Sequence, residues 1–112
     1  VQRDGAVEGL AAGDPVLFGD RVDTGSAYVQ VLWGDGTRVG LDRGSRLEAL
    51  APDLLALTAG RALVTRPAAA AQAFRVDTPA ASVLLAADGE YRVTIDGETT
   101  TLAVTRGRAD VQ

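Results

Sequence analysis

The 112-residue sequence predicts an all-β fold with little or no helix. Three observations carry that prediction. Short apolar stretches are separated by turn signals about every eight to twelve residues, the spacing of a sandwich, barrel or roll. Asp-Gly, a strong hairpin dipeptide because the turn needs positive φ, occurs four times, at Asp4-Gly5, Asp35-Gly36, Asp88-Gly89 and Asp96-Gly97. Apolar and polar residues alternate with the two-residue period of a strand.

Taken in order, the clearest strand covers residues 27–33, where Ala27, Val29, Val31 and Trp33 share a largely apolar face and Tyr28, Gln30 and Leu32 share the other. Residues 37–42 follow with Val39 and Leu41 in register, which predicts a hairpin across Gly34-Asp35-Gly36. Residues 54–58, 61–66, 91–95 and 99–105 alternate in the same way. The inward set reads Val22, Val29, Val31, Trp33, Val39, Leu41, Leu47, Leu55, Leu57, Val64, Val76, Val83, Leu85, Val93, Ile95, Leu102, Val104 and Val111. Residues 68–73 after Pro67 are the one helix candidate, and six residues are too few to be stable alone, so a surface loop is expected.

The chain also resembles itself. Residues 21–39 and 75–93 align without gaps at an offset of 54 with eight identities in 19 positions, where chance would give about one or two. Residues 54–64 align with 101–111 at an offset of 47, matching Leu55/Leu102, Ala56/Ala103, Thr58/Thr105, Gly60/Gly107, Arg61/Arg108, Ala62/Ala109 and Val64/Val111. The expected organisation over residues 1–112 is one domain: a lead-in of residues 1–20, a first unit 21–64, a linker 65–74 and a second unit 75–111. Two such units would pack their apolar faces together as a sandwich or as a short twisted β-solenoid.

Composition excludes much chemistry. There is no Cys, His or Met, which removes thiol and imidazole nucleophiles and the usual soft and imidazole metal ligands. Ser26, Ser45 and Ser82 have neither His nor Lys to activate them. Asp88 with Glu90, and Asp96 with Glu98, bracket turn glycines and read as solvated turn acids rather than a hydrolytic pair. Asp20, Asp23, Asp35 and Asp42 lack calcium-loop spacing and read as turn and cap residues. Gly34-Asp35-Gly36 lacks the pattern of a phosphate loop. No catalytic residue, metal ligand or cofactor site is therefore expected.

All 11 basic residues are Arg, interleaved with 15 acids for a net charge of −4, which disfavours nucleic acid as a partner. No uncharged run approaches the roughly 20 apolar residues of a membrane helix, so this segment is not expected to insert into a membrane. The start at Val1 reads as a domain cut from a longer or processed protein. Tyr28 and Trp33, on opposite faces of one strand, are the candidate interaction surface, with the alternative that Trp33 fills the core and Tyr28 rests at its edge. Arg21-Val22-Asp23-Thr24 and its repeat Arg75-Val76-Asp77-Thr78 put Arg and Asp on one strand face, as solvated cross-strand pairs.

The order Gly19-Asp20-x-x-Asp23-Thr24-Gly25, an alternating strand, Asp35-Gly36-Thr37 leading to Leu41, Ser45-x-Leu47, Leu57-x-x-Gly60-x-x-x-Val64, Phe74-x-Val76-x-Thr78-Pro79-x-Ala81-x-Val83 and Gly107-x-Ala109-x-Val111 resembles the FecR domain family. The resemblance implies an all-β domain outside the cytoplasmic membrane, periplasmic or otherwise extracytoplasmic. In its best-known members such a domain passes a signal from an outer-membrane iron–siderophore receptor to a sigma factor. Those members are not enzymes. Gly89-Glu90-Tyr91-Arg92-Val93 stands where the family commonly has Gly-Thr-x-Phe-x-Val, and is similar to a branch of secreted or envelope proteins carrying the same domain. The matched positions are turn glycines, turn aspartates and core aliphatics, so no functional residue carries over. The expected function is a non-catalytic extracytoplasmic module that binds a protein partner in the cell envelope. The alternative is a structural or carbohydrate-contacting module of a larger envelope protein.

Overall fold

Alternating small aliphatics give each strand one apolar face, and burying those faces against one another builds two layers. A computed structural model describes residues 2–3, 6–7, 19, 21–33, 36–51, 53–68 and 73–111. Its strands are β1 (Gln2–Arg3), β2 (Ala6–Val7), β3 (Arg21–Asp23), β4 (Val29–Leu32), β5 (Arg38–Leu41), β6 (Arg46–Ala51), β7 (Leu54–Arg66), β8 (Phe74–Asp77), β9 (Ser82–Leu85), β10 (Gly89–Asp96), β11 (Thr99–Arg106) and β12 (Ala109–Val111). The described residues contain no helix, as the sequence predicts. Residues 69–72 of the helix-or-loop candidate, and Asp4-Gly5, lie outside the described residues.

Layer one runs β2-β1-β3-β6-β7-β8-β9-β12 and layer two runs β4-β5-β7-β10-β11. All pairings are antiparallel except β7 with β8. Between the two arrangements expected from sequence, this is the sandwich. Inward residues of both layers, among them Val22, Leu47, Leu57, Val76 and Leu85 from one and Val31, Val39, Val64, Tyr91 and Val93 from the other, form one buried cluster. Burying each such side chain contributes on the order of 1.5–3 kcal/mol before entropy is counted.

β7 belongs to both layers. Its first half pairs with β6 and β8, and its second half, from Gly60 on, pairs with β5 and β10. The sequence predicts two strands here, 54–58 and 61–66; the structure joins them into one 13-residue strand that bends at Gly60. Gly60 sits at φ +85°, and a Cβ there would lie 2.6 Å from the Cα of Ser45, so only glycine fits the bend. Gly107, its match in the offset-47 alignment, sits at φ +100° where the chain leaves β11 in layer two for β12 in layer one. The sequence-matched strands β4 and β9 occupy different layers, and β7 from the first unit pairs with β8 and β10 from the second.

Buried polar side chains fasten the places where the chain changes layer. The Thr24 hydroxyl donates to the Asp42 carbonyl (2.9 Å) and accepts from the Ser45 N–H (3.0 Å), tying the β3–β4 crossing to the β5–β6 crossing. The Ser45 hydroxyl donates to the Arg61 carbonyl (3.2 Å) and accepts from the Arg61 N–H (3.0 Å), which adds β7 to the same knot. At the other end the Tyr91 hydroxyl donates to the Ala86 carbonyl (2.8 Å) and accepts from the Arg108 N–H (3.2 Å), joining the β9–β10 and β11–β12 crossings. Each buried polar atom thereby keeps the partner it would have had in water.

Most of the predicted inward set is buried, with Val29, Ile95 and Leu102 partly buried against the cluster. Two positions differ. Val104 is 45% exposed and Val111 62% exposed, although their cross-strand partners Tyr91 and Val83 are buried. Both face inward, but β11 and β12 are the last strands of their layers, so no described strand covers the outer flank of either. Ala49, Ala62, Phe74 and Tyr91 join the core unpredicted.

Arg66 is also buried, at 1% exposure, where the sequence offers an ordinary strand-end charge. Its guanidinium donates to the Leu85 carbonyl (2.6 Å) and to the Thr37 hydroxyl (3.2 Å) and lies 5.6 Å from the centre of the Phe74 ring. Phe74 in turn meets Trp33 edge to face at 5.4 Å. Arg66 thus links the layer-two end of β7 to β9 and β8 of layer one.

Candidate interaction face

The two predicted surface aromatics separate. Trp33 is a core residue, 5% exposed, with its indole N–H donating to the Ala51 carbonyl (3.2 Å), so it presents no ring to a partner. The strand's period explains this, since Val31 and Trp33 point inward together. Tyr28 lies on the opposite face and is 62% exposed, as is its neighbour on that face, Leu32, at 68%.

The β4–β5 hairpin has the predicted register, with Val29 opposite Leu41 and Leu32 opposite Arg38. β5 then pairs with β7, placing Gly40 beside Leu63, and β7 pairs with β10, placing Leu63 beside Arg92. Cross-strand partners share a face, so the outer surface of layer two carries Tyr28, Leu32 and Leu63 among Arg38, Arg61 and Arg92. The Tyr28 ring lies over Gly40, where a Cβ would collide with its hydroxyl. That contact holds the ring in place against the sheet. Arg61 faces Asp42 at 3.7 Å, while Arg38 and Arg92 make no ion pair among the described residues.

Leu63, Arg38 and Arg92 are absent from the sequence prediction. Leu32 had a signal, because it shares the Tyr28 face of its strand; the other three depend on which strands become neighbours, which local alternation does not encode. The surface combines an aromatic ring and guanidinium groups, side-chain types enriched where proteins bind proteins, with exposed Leu32 and half-buried Leu63.

Several of the remaining candidates are occupied locally. Asp23 accepts from Arg46 at 2.6 Å, a bond that holds the Arg46 guanidinium above its ordinary pKa, and Asp42 faces Arg61. Asp20 and Asp35 lie outside the described residues. Asp88 faces Arg106 at 3.5 Å, Ser45 serves the crossing knot, and Ser82 donates to Asp77 at 2.8 Å. The first Arg-Val-Asp-Thr makes the expected cross-strand pairs, Arg21 with Glu48 (2.9 Å) and Asp23 with Arg46; in the second, Arg75 instead bonds Asp77 on its own strand (2.7 Å).

Comparison with known proteins agrees with this architecture. Two crystal structures of a candidate anti-sigma factor from Parabacteroides distasonis superimpose with TM-scores of 0.63 and 0.64 at 24% and 22% identity. Each match covers 82% of this chain and 46% of the solved one, so the chain spans about half the length of those proteins. At that identity the likeness shows the fold. No curated protein matches the sequence. The family model described as FecR protein matches residues 20–110, nearly all of both layers, and the chain belongs to the FecR family.

Proposed function

We propose that the chain is a non-catalytic, extracytoplasmic protein-interaction domain of the FecR type that acts in envelope signalling, with sigma-factor regulation as the process it serves. Membership of the family over residues 20–110 is the observation that carries this reading. The candidate anti-sigma factor that shares the fold supports it. The partner docks on the outer face of layer two, where the Tyr28 ring, Leu32 and Leu63 supply apolar contact and Arg38 and Arg92 meet carboxylates.

A photo-crosslinking residue placed at position 28, and another at Thr58 on the outer face of layer one, test the proposal in envelope extract. Crosslinking of one protein from position 28 and not from position 58, lost in Leu32→Asp, is the expected result. Retention of glycan or peptidoglycan with no protein crosslinked would favour the structural or carbohydrate-contacting role instead.

A further inference from the structure

We propose that the element docked on layer two is an extended, acidic stretch of a partner protein in which two carboxylates flank an apolar residue, one carboxylate on Arg38 and the other on Arg92. The proposal rests on the docking face assigned above and names what that face recognises. Both guanidinium groups are exposed and make no ion pair among the described residues. The three arginines of the outer face of layer one, by contrast, each have an acid within 3 Å.

The register sets their separation. Arg38 lies opposite Thr65, Thr65 opposite Glu90, and Arg92 follows two residues along β10. Two strands across and two residues along put the Arg38 and Arg92 Cα atoms about 12 Å apart. Half-buried Leu63 and Thr65 lie between them on β7, and the Tyr28 ring borders Leu63 from its place over Gly40. A phosphate group is held by donors that converge on one point. Two cations this far apart with an apolar side chain between them suit two separate carboxylates instead.

An extended segment turns alternate side chains to one side, and its first and fifth residues are about 13 Å apart. Acid-x-apolar-x-acid laid diagonally across the sheet therefore reaches both arginines and sets its middle residue over Leu63 and Thr65. A helix would need a groove, which the pleated face of a sheet does not form. Glu90 lies off this diagonal, opposite Arg106 and two residues from Arg92, where its charge opposes an approaching acid.

The peptide Gly-Asp-Thr-Leu-Thr-Asp-Gly, titrated into the 112-residue chain and followed by amide shifts, should bind in the millimolar range to β4, β5, β7 and β10. Binding should weaken as NaCl rises from about 0.05 to about 0.5 M. The peptide with Asn for both Asp, and the variants Arg38→Gln and Arg92→Gln, should each lose about fivefold, while Glu90→Gln should gain about twofold. Equal binding of the Asn peptide, shifts confined to layer one, or tighter binding of tripolyphosphate would overturn the proposal. If position 28 still captures its protein from Arg38→Gln/Arg92→Gln undiminished, the acidic segment is wrong and the docking face stands. If position 28 of the parent captures no protein, the face itself is wrong.

Discussion

The outer faces of the two layers carry arginines on their paired strands, Arg21, Arg46 and Arg75 on layer one and Arg38, Arg61, Arg92 and Arg106 on layer two, and treat them differently. On layer one, Arg21, Arg46 and Arg75 bond Glu48, Asp23 and Asp77 at 2.9, 2.6 and 2.7 Å. On layer two, Arg61 has only a 3.7 Å contact with Asp42, and Arg38 and Arg92 have no ion pair among the described residues. The exposed ring, Tyr28, lies on layer two beside exposed Leu32, whereas layer one exposes Leu50 and, on its terminal strand, Val111. A face whose charges are already neutralised by neighbours has little to offer a partner; one with unpaired guanidinium groups beside apolar residues keeps its interactions available. The contrast separates a face built to meet water from one built to meet protein.

The comparison depends on β7 holding the two layers together, and breaking β7 has the largest expected effect. Gly60→Val places a branched side chain at φ +85° against the Ser45 backbone, which should cost about 4 kcal/mol by summing backbone strain and overpacking. Gly44→Ala, at φ +70° in open space, should cost only about 1 kcal/mol. Urea denaturation followed through Trp33, the single tryptophan, measures both. Equal losses would show that φ alone, and not the Ser45 contact, fixes the bend.

Next comes the buried cation that joins the layers at the far end of β7. Arg66→Met keeps volume but removes the donor to the Leu85 carbonyl and the cation beside Phe74, and should cost about 3 kcal/mol. Native Trp33 emission should shift as well, because Phe74 packs on the indole. A variant as stable as the parent would mean that an apolar residue serves the site equally well.

These residues also mark where the sequence was and was not readable. The alternation of residues 27–33 assigned Val31 and Trp33 inward and Tyr28 outward, because a strand's period fixes which side chains share a face. The same rule gave Val104 and Val111 the correct face but not their exposure. Period determines face, whereas cover depends on what lies beside the strand, and these two lie on terminal strands. Arg66 failed more completely: its charge argues for solvent, and only the convergence of Leu85, Thr37 and Phe74 from three other strands or turns makes burial tolerable. The layer-two face was half legible for the same reason, since Tyr28 and Leu32 share one strand while Leu63 and Arg92 reach them through long-range pairing.

A smaller effect tests the layer-one half of the contrast. A double-mutant cycle on Arg21 and Glu48, both about one-third to two-fifths exposed, should give a coupling of about 0.5 kcal/mol that falls with salt. Neither single substitution should alter crosslinking from position 28. Loss of partner capture on removing Arg21 would show that the paired face also binds.

The smallest effect on stability is expected where the effect on binding is greatest. Arg92 and Arg38 are exposed and make no ion pair among the described residues, so Arg92→Ala should leave stability within about 0.5 kcal/mol of the parent. Its neighbour Leu63 on β7 keeps its backbone pairing with β5 and β10, so the sheet is unaffected. A docked partner, however, would lose a desolvated contact to its carboxylate, and capture should weaken about tenfold. Arg92→Lys separates charge from geometry: recovery by Lys means a point charge suffices, whereas no recovery means the planar guanidinium is bonded in two places. If Arg92→Ala lowers stability and leaves capture intact, the two faces have been assigned the wrong way round.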